Sequence, residues 1–380
     1  MPRNRVIYQS EALYVGPSPA TGAHFQGGEN TNVSGDVNLV QQLQRVQTAN
    51  YSFNIDRTDV NQFGQLAAID RVVLTSPTVS LDFSYLLANL VNEEGLGFTV
   101  QKTGSAGTPS AEVSCISGIL NKSQDEKNYF IKTTSEGTDA VGSTSTAAGV
   151  IGIGNGFITA YSQEASVGNF ATASITVEGL NMKFDTSTSG VGIPAVNPID
   201  GNAISARQFA LPLTVSSTAL SQASGISALR PGDITLSLPN TIGATASGDN
   251  QFNIQSYTLS FDLARTPIER LGSKFAFARE IDFPVTVNLS VEAQVTDINA
   301  GNLATLVSND STTTYNPVVR INNPGSASDV VARFSLKNAK LDSQEFSSDI
   351  GSNKTVTLNF SSQIGGPEDN ANGLFISGKV

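Results

Sequence analysis

The chain has 380 residues and a formal charge of −11 at pH 7, with 39% hydrophobic and only 14% charged residues. That length suits two domains with cores of their own, and the acidic balance disfavours a basic surface that grips nucleic acid without sequence preference. Abundant small polar residues, no Trp and two Met favour strands joined by turns over helices.

Met1-Pro2-Arg3-Asn4-Arg5 runs straight into Val6-Ile7-Tyr8, without an apolar stretch of signal-peptide length. No apolar run reaches the roughly 18 residues of a membrane helix, so neither a leader nor a membrane span is expected. Residues 1–33 and 363–380 read as polar arms. His24, the only histidine, lies in a Gly/Pro/Ser-rich part of the first arm and has no rigid scaffold for nucleophilic catalysis. Cys115 is the only cysteine, which rules out an intrachain disulfide and, with one His, a zinc site of usual ligation. A reducing compartment is expected, and acceptor patterns such as Asn121-Lys122-Ser123 then carry little meaning.

Tyr51, Phe53 and Ile55 alternate with Ser52, Asn54 and Asp56, which predicts a strand with one apolar and one polar face. Arg57 to Ser76 is too apolar for a disordered loop and reads as a protruding hairpin or ordered arm. Exposed apolar residues at the tip of such an arm call for a partner. Val79, Leu81, Phe83 and Tyr85 then alternate with Thr78, Ser80, Asp82 and Ser84, and a short helix is expected over Leu86 to Glu93. Cys115, between Val113 and Ile116, reads as a small buried residue in a β-like run. Thr133 to Gly149 reads as a mobile surface loop. Gly152-Ile153-Gly154-Asn155-Gly156 lacks the spacing of a dinucleotide fingerprint and leads into a strand, not a helix. Neighbouring carboxylates such as Glu93/Glu94 and Asp125/Glu126 could in principle serve as glycosidase acid and base; any acidic chain has such pairs, and there is no Trp to stack a sugar. Asp185 to Asn202 is a Gly/Pro/Ser-rich linker.

Residues 51–83 return at 259–291. Over this ungapped shift of 208 positions ten of 33 residues are identical, among them Ser52/Ser260, Phe53/Phe261, Arg57/Arg265, Gly64/Gly272, Arg71/Arg279 and Val79/Val287. A period this long is not a solenoid repeat; it is one β unit written twice. The shift is even, so both copies bury the same face. A second helix is expected over Ile298 to Val307. Ser162-Gln163-Glu164 matches Ser343-Gln344-Glu345, and the strand around Ile175 and Val177 matches Val356, Leu358 and Phe360. The expected division is a first domain at 1–185 with an N-terminal arm, a linker at 186–204, and a second domain at 205–380 with a C-terminal arm.

Fourteen outward positions on the two repeated strand pairs (52, 54, 56, 78, 80, 82, 84 and 258, 260, 262, 286, 288, 290, 292) include four acids, Asp56, Asp82, Asp262 and Glu292, and no Lys or Arg. A solvent-facing sheet usually mixes signs, with Lys common at edges. A one-signed face suits a surface that must repel a polyanion.

The stretch from Gln44-Arg45-Val46-Gln47 to Arg57-Thr58-Asp59-Val60-Asn61-Gln62-Phe63-Gly64, the strand Pro77 to Tyr85, Asn128-Tyr129-Phe130-Ile131 and Glu136-Gly137-Thr138-Asp139 resemble the major tail tube protein of long-tailed, non-contractile (siphovirus-type) bacteriophages. The resemblance covers most of residues 40 to 185 and, through the repeat, extends to the second copy. It implies an all-β fold with short helices, as two tandem tail-tube-like β-sandwich or half-barrel domains contributing to an inter-subunit β-barrel ring. It also implies stacked rings in a virion tail assembled in the bacterial host cytoplasm, with the tape measure, tail terminator and distal tail proteins as partners. It further implies no cofactor and no membrane, and double-stranded DNA that passes through without specific binding. Most such proteins carry one tube domain and form hexameric rings; two domains here suggest three chains per pseudo-hexameric ring. On this reading Asn54, Asp56, Asp82, Asp262, Asn288 and Glu292 line the lumen. Arg57, Val60, Phe63 and Gly64, with Arg265, Ile268, Leu271 and Gly272, form ring-stacking arms. The alternative is a phage fibre, decoration or adhesin-like binding module, for which a coiled coil or an exposed aromatic platform is expected and neither is seen.

Overall fold

The computed structural model describes residues 11–17, 40–102, 112–120, 125–135, 138–140, 149–186, 190–204, 208–209, 211, 231–237, 252–276, 278–295, 303–308, 313–323, 329–348 and 354–378. His24, residues 1–10 and 18–39, and residues 136–137 and 141–148 of the expected surface loop lie outside them. Where the expected polar arms are described they are not arms, because Glu11–Pro17 and Gly373–Gly378 are buried strands of the outer sheets.

In the first half of the chain the strands are β1 (Glu11–Pro17), β2 (Gln41–Gln42), β3 (Val46–Asn54), β4 (Arg57–Val60), β5 (Asp70–Val73), β6 (Thr78–Leu86), β7 (Val100–Lys102), β8 (Glu126–Thr133), β9 (Gly149–Ser166), β10 (Thr172–Gly179) and β11 (Asn181–Asp185), with helices α1 (Val91–Leu96) and α2 (Ser117–Leu120). The second half adds β12 (Val191–Gly192), β13 (Gln208–Phe209), β14 (Ile234–Ser237), β15 (Phe252–Asp262), β16 (Arg265–Ile268), β17 (Ala278–Ile281), β18 (Val285–Val295), α3 (Leu303–Ser308), β19 (Val318–Asn322), β20 (Val330–Lys337), β21 (Lys340–Ser347), β22 (Thr355–Ile364) and β23 (Gly373–Gly378). The fold is all-β, with antiparallel sheets and three short helices among the described residues.

An eight-strand run organises the molecule, in the order β3-β6-β10-β9-β15-β18-β22-β21. The first four strands come from the first copy and the last four from the second. Every neighbour is antiparallel, and the sheet stays open, with β3 and β21 at its edges. Strict alternation explains its two faces: along β6 Val79, Leu81, Phe83 and Tyr85 are buried, while Thr78 and Asp82 between them are exposed. A period of two leaves no other choice once one face meets a core.

Two further layers cover the apolar face. In the first copy β2, β1, β8, the first half of β9 and β11 form an outer sheet, and in the second copy β14, β19, β20 and β23 do the same, extended by β7 of the first copy in parallel with β23. One continuous core runs between inner and outer layers through both copies. Strand β9 belongs to both layers, because its first half pairs with β8 and β11 and its second half with β10 and β15. A register shift opposite Thr176 and Val177 marks where it turns.

Several sequence expectations shift. Leu86 continues β6, since Thr172 pairs with it, so α1 begins at Val91 rather than at Leu86. Residues 298–302 lie outside the described set and α3 starts at Leu303. Cys115 is buried, in a turn before α2 rather than in a strand. The expected linker is packed: Val191, Ile193 and Ala195 join Tyr14, Phe130 and Val150 in a second small core on the outside of the first outer sheet. The Gly-rich run of β9 is there for that packing. The Pro194–Ala195 backbone crosses Gly154 so closely that a Cβ has no room.

The repeat is also corrected in detail. Leu86 pairs with Thr172 and Thr172 with Glu164, while Gln294 pairs with Thr355 and Thr355 with Ser347. Glu164 therefore corresponds to Ser347, a shift of 347 − 164 = 183, and Ser162-Gln163-Glu164 does not superpose on Ser343-Gln344-Glu345 but lies two residues away from it. Elsewhere the copies agree down to their irregularities. The 208-residue shift carries the β3·β6 pairing onto β15·β18, including the break beside Gln47 and beside Gln255.

One pair of equivalent residues separates seam from edge. Phe261 is 1% exposed, stacked on Tyr161 at 5.3 Å, whereas its counterpart Phe53 on the open edge is 59% exposed. In urea unfolding of the unassembled chain, Phe261→Ala should cost about 3 to 5 kcal/mol and Phe53→Ala under about 1 kcal/mol. Equal losses at the two positions would contradict the seam.

Candidate functional site

The candidate site is the uncovered face of the eight-strand sheet, with its two edges and the two hairpins at one end. The face is laid down by the polar half of each alternation. Thr48 shares a hydrogen bond with Ser84 across β3 and β6 (2.7 Å), and Ser52 shares one with Ser80 (2.9 Å). In the second copy Ser256 donates to Glu292 (3.2 Å) and Asn359 to Ser343 (2.7 Å). Short hydroxyl and amide side chains thus satisfy one another across the strands, without cations.

Asn54, Asp82, Asp262, Asn288 and Glu292 all lie exposed on this one face, as the alternation requires. Asp56 sits just past the end of β3, where its carboxylate accepts a hydrogen bond from Asn54 (3.0 Å). The structure adds acids that the sequence reading missed: Glu164 on β9, Glu178 on β10 and Glu345 on β21. Their signal was present, in the alternation of Thr172, Ser174, Thr176 and Glu178 with Ala173, Ile175 and Val177. Only pairing shows that it continues the same face. Glu178 is taken up in an ion pair with Arg279, while Asp82, Glu164, Asp262, Glu292 and Glu345 make no ion pair among the described residues. The eight strands contain one basic residue, Lys340 at the far corner, and its Nζ donates to the Thr313 carbonyl (2.8 Å).

Beyond Asn54 and Asp262 the chain leaves the sheet as the hairpins β4–β5 and β16–β17, paired in equivalent registers. Both tips turn at a glycine in the left-handed region, Gly64 (φ 88°) and Gly272 (φ 87°), where a side chain is strained. Phe63, Leu66 and Leu271 are fully exposed there, and Val60 and Ile268 are exposed along the hairpins. The two bases differ. Arg57 is exposed, but the Arg265 side chain is buried against Asp125 (2.5 Å) with Phe157 beneath its guanidinium (4.9 Å), so it anchors the second arm within the chain. The second arm is further tied to the linker, Lys274 N–H donating to the Ile199 carbonyl (3.1 Å) and Phe275 N–H to that of Pro198 (2.9 Å).

The carboxylate pairs weighed for catalysis are placed otherwise. Glu94 pairs with Lys102 (3.1 Å), Asp125 with Arg265, and Glu126 accepts from Asn155 (2.8 Å). Glu93 is completely buried under the sheet, where Tyr85 donates to it (2.8 Å). Beside it Tyr161 and Gln163 carry the polar network across the seam, with Gln163 donating to Tyr257 (2.6 Å).

No family model matches the chain, and no curated protein matches it. Among solved structures it is similar to a chain of the anti-feeding prophage (AFP) baseplate, six-fold symmetrised, at 19% identity and TM-score 0.26, over 38% of this chain and 91% of that one. It is also similar to a chain in the virion of a native gene transfer agent (GTA) particle, at 12% identity and TM-score 0.21, over 38% of this chain and 97% of that one.

Burial pushes the Glu93 carboxyl up to about 7, opposed by the hydrogen bonds from Tyr85 and Tyr161, whose own hydroxyls are pushed well above their usual range by the same burial. An acid with a raised folded pKa holds its proton more tightly when folded. Its contribution is full below the model-compound value of 4.5 and is lost as pH rises through 7. The stability difference between wild type and Glu93→Gln should therefore move against wild type by about 3 kcal/mol from about pH 4.5 to about pH 7.5. A pH-independent difference in urea titrations would contradict the burial argument.

Proposed function

We propose that this chain is a structural virion subunit that closes rings edge to edge and stacks them into a phage tail tube, the acid-lined conduit for DNA ejection. One observation carries the reading: the β9·β15 seam already makes, inside a single chain, the pairing that ring closure requires between chains. β3 stands in the first copy where β15 stands in the second, and β21 where β9 stands. The two edges left open are thus the two halves of a seam.

The register of the missing seam follows from the one present. The pairs Tyr161↔Phe261, Gln163↔Leu259 and Ser162↔Ser260 become, under shifts of +183 and −208, Gln344 opposite Phe53, Phe346 opposite Tyr51 and Glu345 opposite Ser52. Phe346 is 45% exposed and Phe53 more so, and both gain cover when the edges meet. The β3 edge has no proline and no charge, while β21 carries Lys340 at its first residue and the acids Asp342 and Glu345.

With two four-strand units per chain, three chains supply six units and 3 × 8 = 24 strands. The outer sheets and helices cover the apolar face and need the larger circumference, so the uncovered polar face turns inward. The ring then carries 3 × −11 = −33, and its bore offers phosphates hydroxyls and carboxylates instead of cations. DNA slides where nothing holds it. The tail-tube resemblance of residues 40 to 185 supports the same reading.

Thr258↔Glu164 maps onto Asn50 opposite Ser347. Under mild oxidation, the Asn50→Cys/Ser347→Cys variant should give a closed species of three chains by denaturing mass spectrometry. Six chains per closed species would refute the subunit count, and monomers alone would refute the ring.

A further inference from the structure

At the end of the sheet opposite the arms there are two grooves. One, of about 520 Å³, lies between the start of β14 (Ile234–Leu236), the start of β15 (Ile254–Tyr257) and the end of β9 (Ala165–Val167). The other, of about 260 Å³, lies between the start of β1 (Glu11–Leu13) and the start of β3 (Val46–Ala49). The two are equivalent. β14 pairs with β19 as β1 pairs with β8, and residues 254–257 are residues 46–49 carried forward by 208. What the smaller groove lacks is its third wall. The counterpart of Ala165 is Ser348 (165 + 183 = 348), just past the end of β21, which only a neighbouring chain can bring there.

Strands β3 and β15 each begin at a groove and end at an arm, so arms and grooves occupy opposite ends of the same sheet. Both sets are spaced by the same internal repeat. Any stacking of two rings that brings one arm to one groove brings every arm to a groove.

We infer that the arm tips of one copy seat in these grooves of a second copy in the adjacent ring. This rests on the ring reading above and specifies its stacking contact. Charge pairs the partners. The tip of the first arm, Asn61 to Leu66, is neutral and presents Phe63 and Leu66, and the larger groove is lined by Ile234, Leu236, Ile254 and Tyr257 with no charged residue. The tip of the second arm carries Glu269, Arg270 and Lys274, and the smaller groove carries Glu11 and Arg45. First arm to larger groove and second arm to smaller groove puts the charged tip where Glu11 and Arg45 can meet it and the neutral tip where no charged residue lines the wall.

The test introduces Leu66→Cys and Gln255→Cys into the full chain, with Asn50→Cys/Ser347→Cys as a separate seam control. Tip and groove lie at opposite ends of the sheet, so a Leu66→Cys to Gln255→Cys bond joins different copies. Oxidised assemblies should give a ladder of multiples of the chain mass that collapses on reduction. If the seam control links but the arm pair does not, the stacking contact is wrong and the ring reading stands. If Leu66→Cys links instead to Gln47→Cys in a companion variant, the charge-based pairing is overturned. If neither variant links and the protein sediments as a monomer, both readings fall.

Discussion

The pairing of β9 with β15 is the interaction on which the rest depends. It joins two four-strand units into one sheet, lets a single core run through both copies and places their polar faces side by side. It also creates the two open edges. The internal seam buries Phe261, while the outer edges leave Phe53 and Phe346 in water. An unpaired row of backbone donors and acceptors is a site for another strand. In the proposed ring the internal seam supplies the register for that strand.

Charge is distributed to serve that sheet. Two cations near it are drawn into structural pairs at the base of the second arm, Arg265 with Asp125 and Arg279 with Glu178, and the inner strands keep only Lys340, turned to a carbonyl at the corner. Hydroxyl and amide pairs take the place that Lys and Glu usually share on a solvent face. The duplication has also let the arms diverge. One is exposed, with Ser76 at its base donating to Glu269 of the other (3.3 Å), and the other is tied to the linker.

Much of this was legible in the sequence because it is local. The alternation from Tyr51 to Asp56 and from Thr78 to Tyr85 identifies two strands and their buried faces, and the intact copy 208 residues on identifies the second unit. The hairpins follow from a Gly-bearing apolar stretch between two strands. What was hidden is pairing. Glu164, Glu178 and Glu345 join the acidic face only because β10, β9 and β21 lie next to strands distant in sequence. The linker looked like a tether because Gly, Pro and Ser dominate it, yet Val191, Ile193 and Ala195 find a groove on the outer sheet. The match of Ser162-Gln163-Glu164 to Ser343-Gln344-Glu345 was misled by three shared residues, where the ladder of backbone pairs gives a shift larger by two. Leu86 reads as helical until Thr172 claims it.

The most direct measurement is a cryo-electron microscopy reconstruction of purified, assembled protein at a resolution that distinguishes side chains. The account predicts a hollow tube with three chains per ring, a 24-strand inner wall, and Phe346 of one chain opposite Tyr51 of the next. A tube with six chains per ring, or an inner wall in which β3 and β21 do not pair, would contradict it.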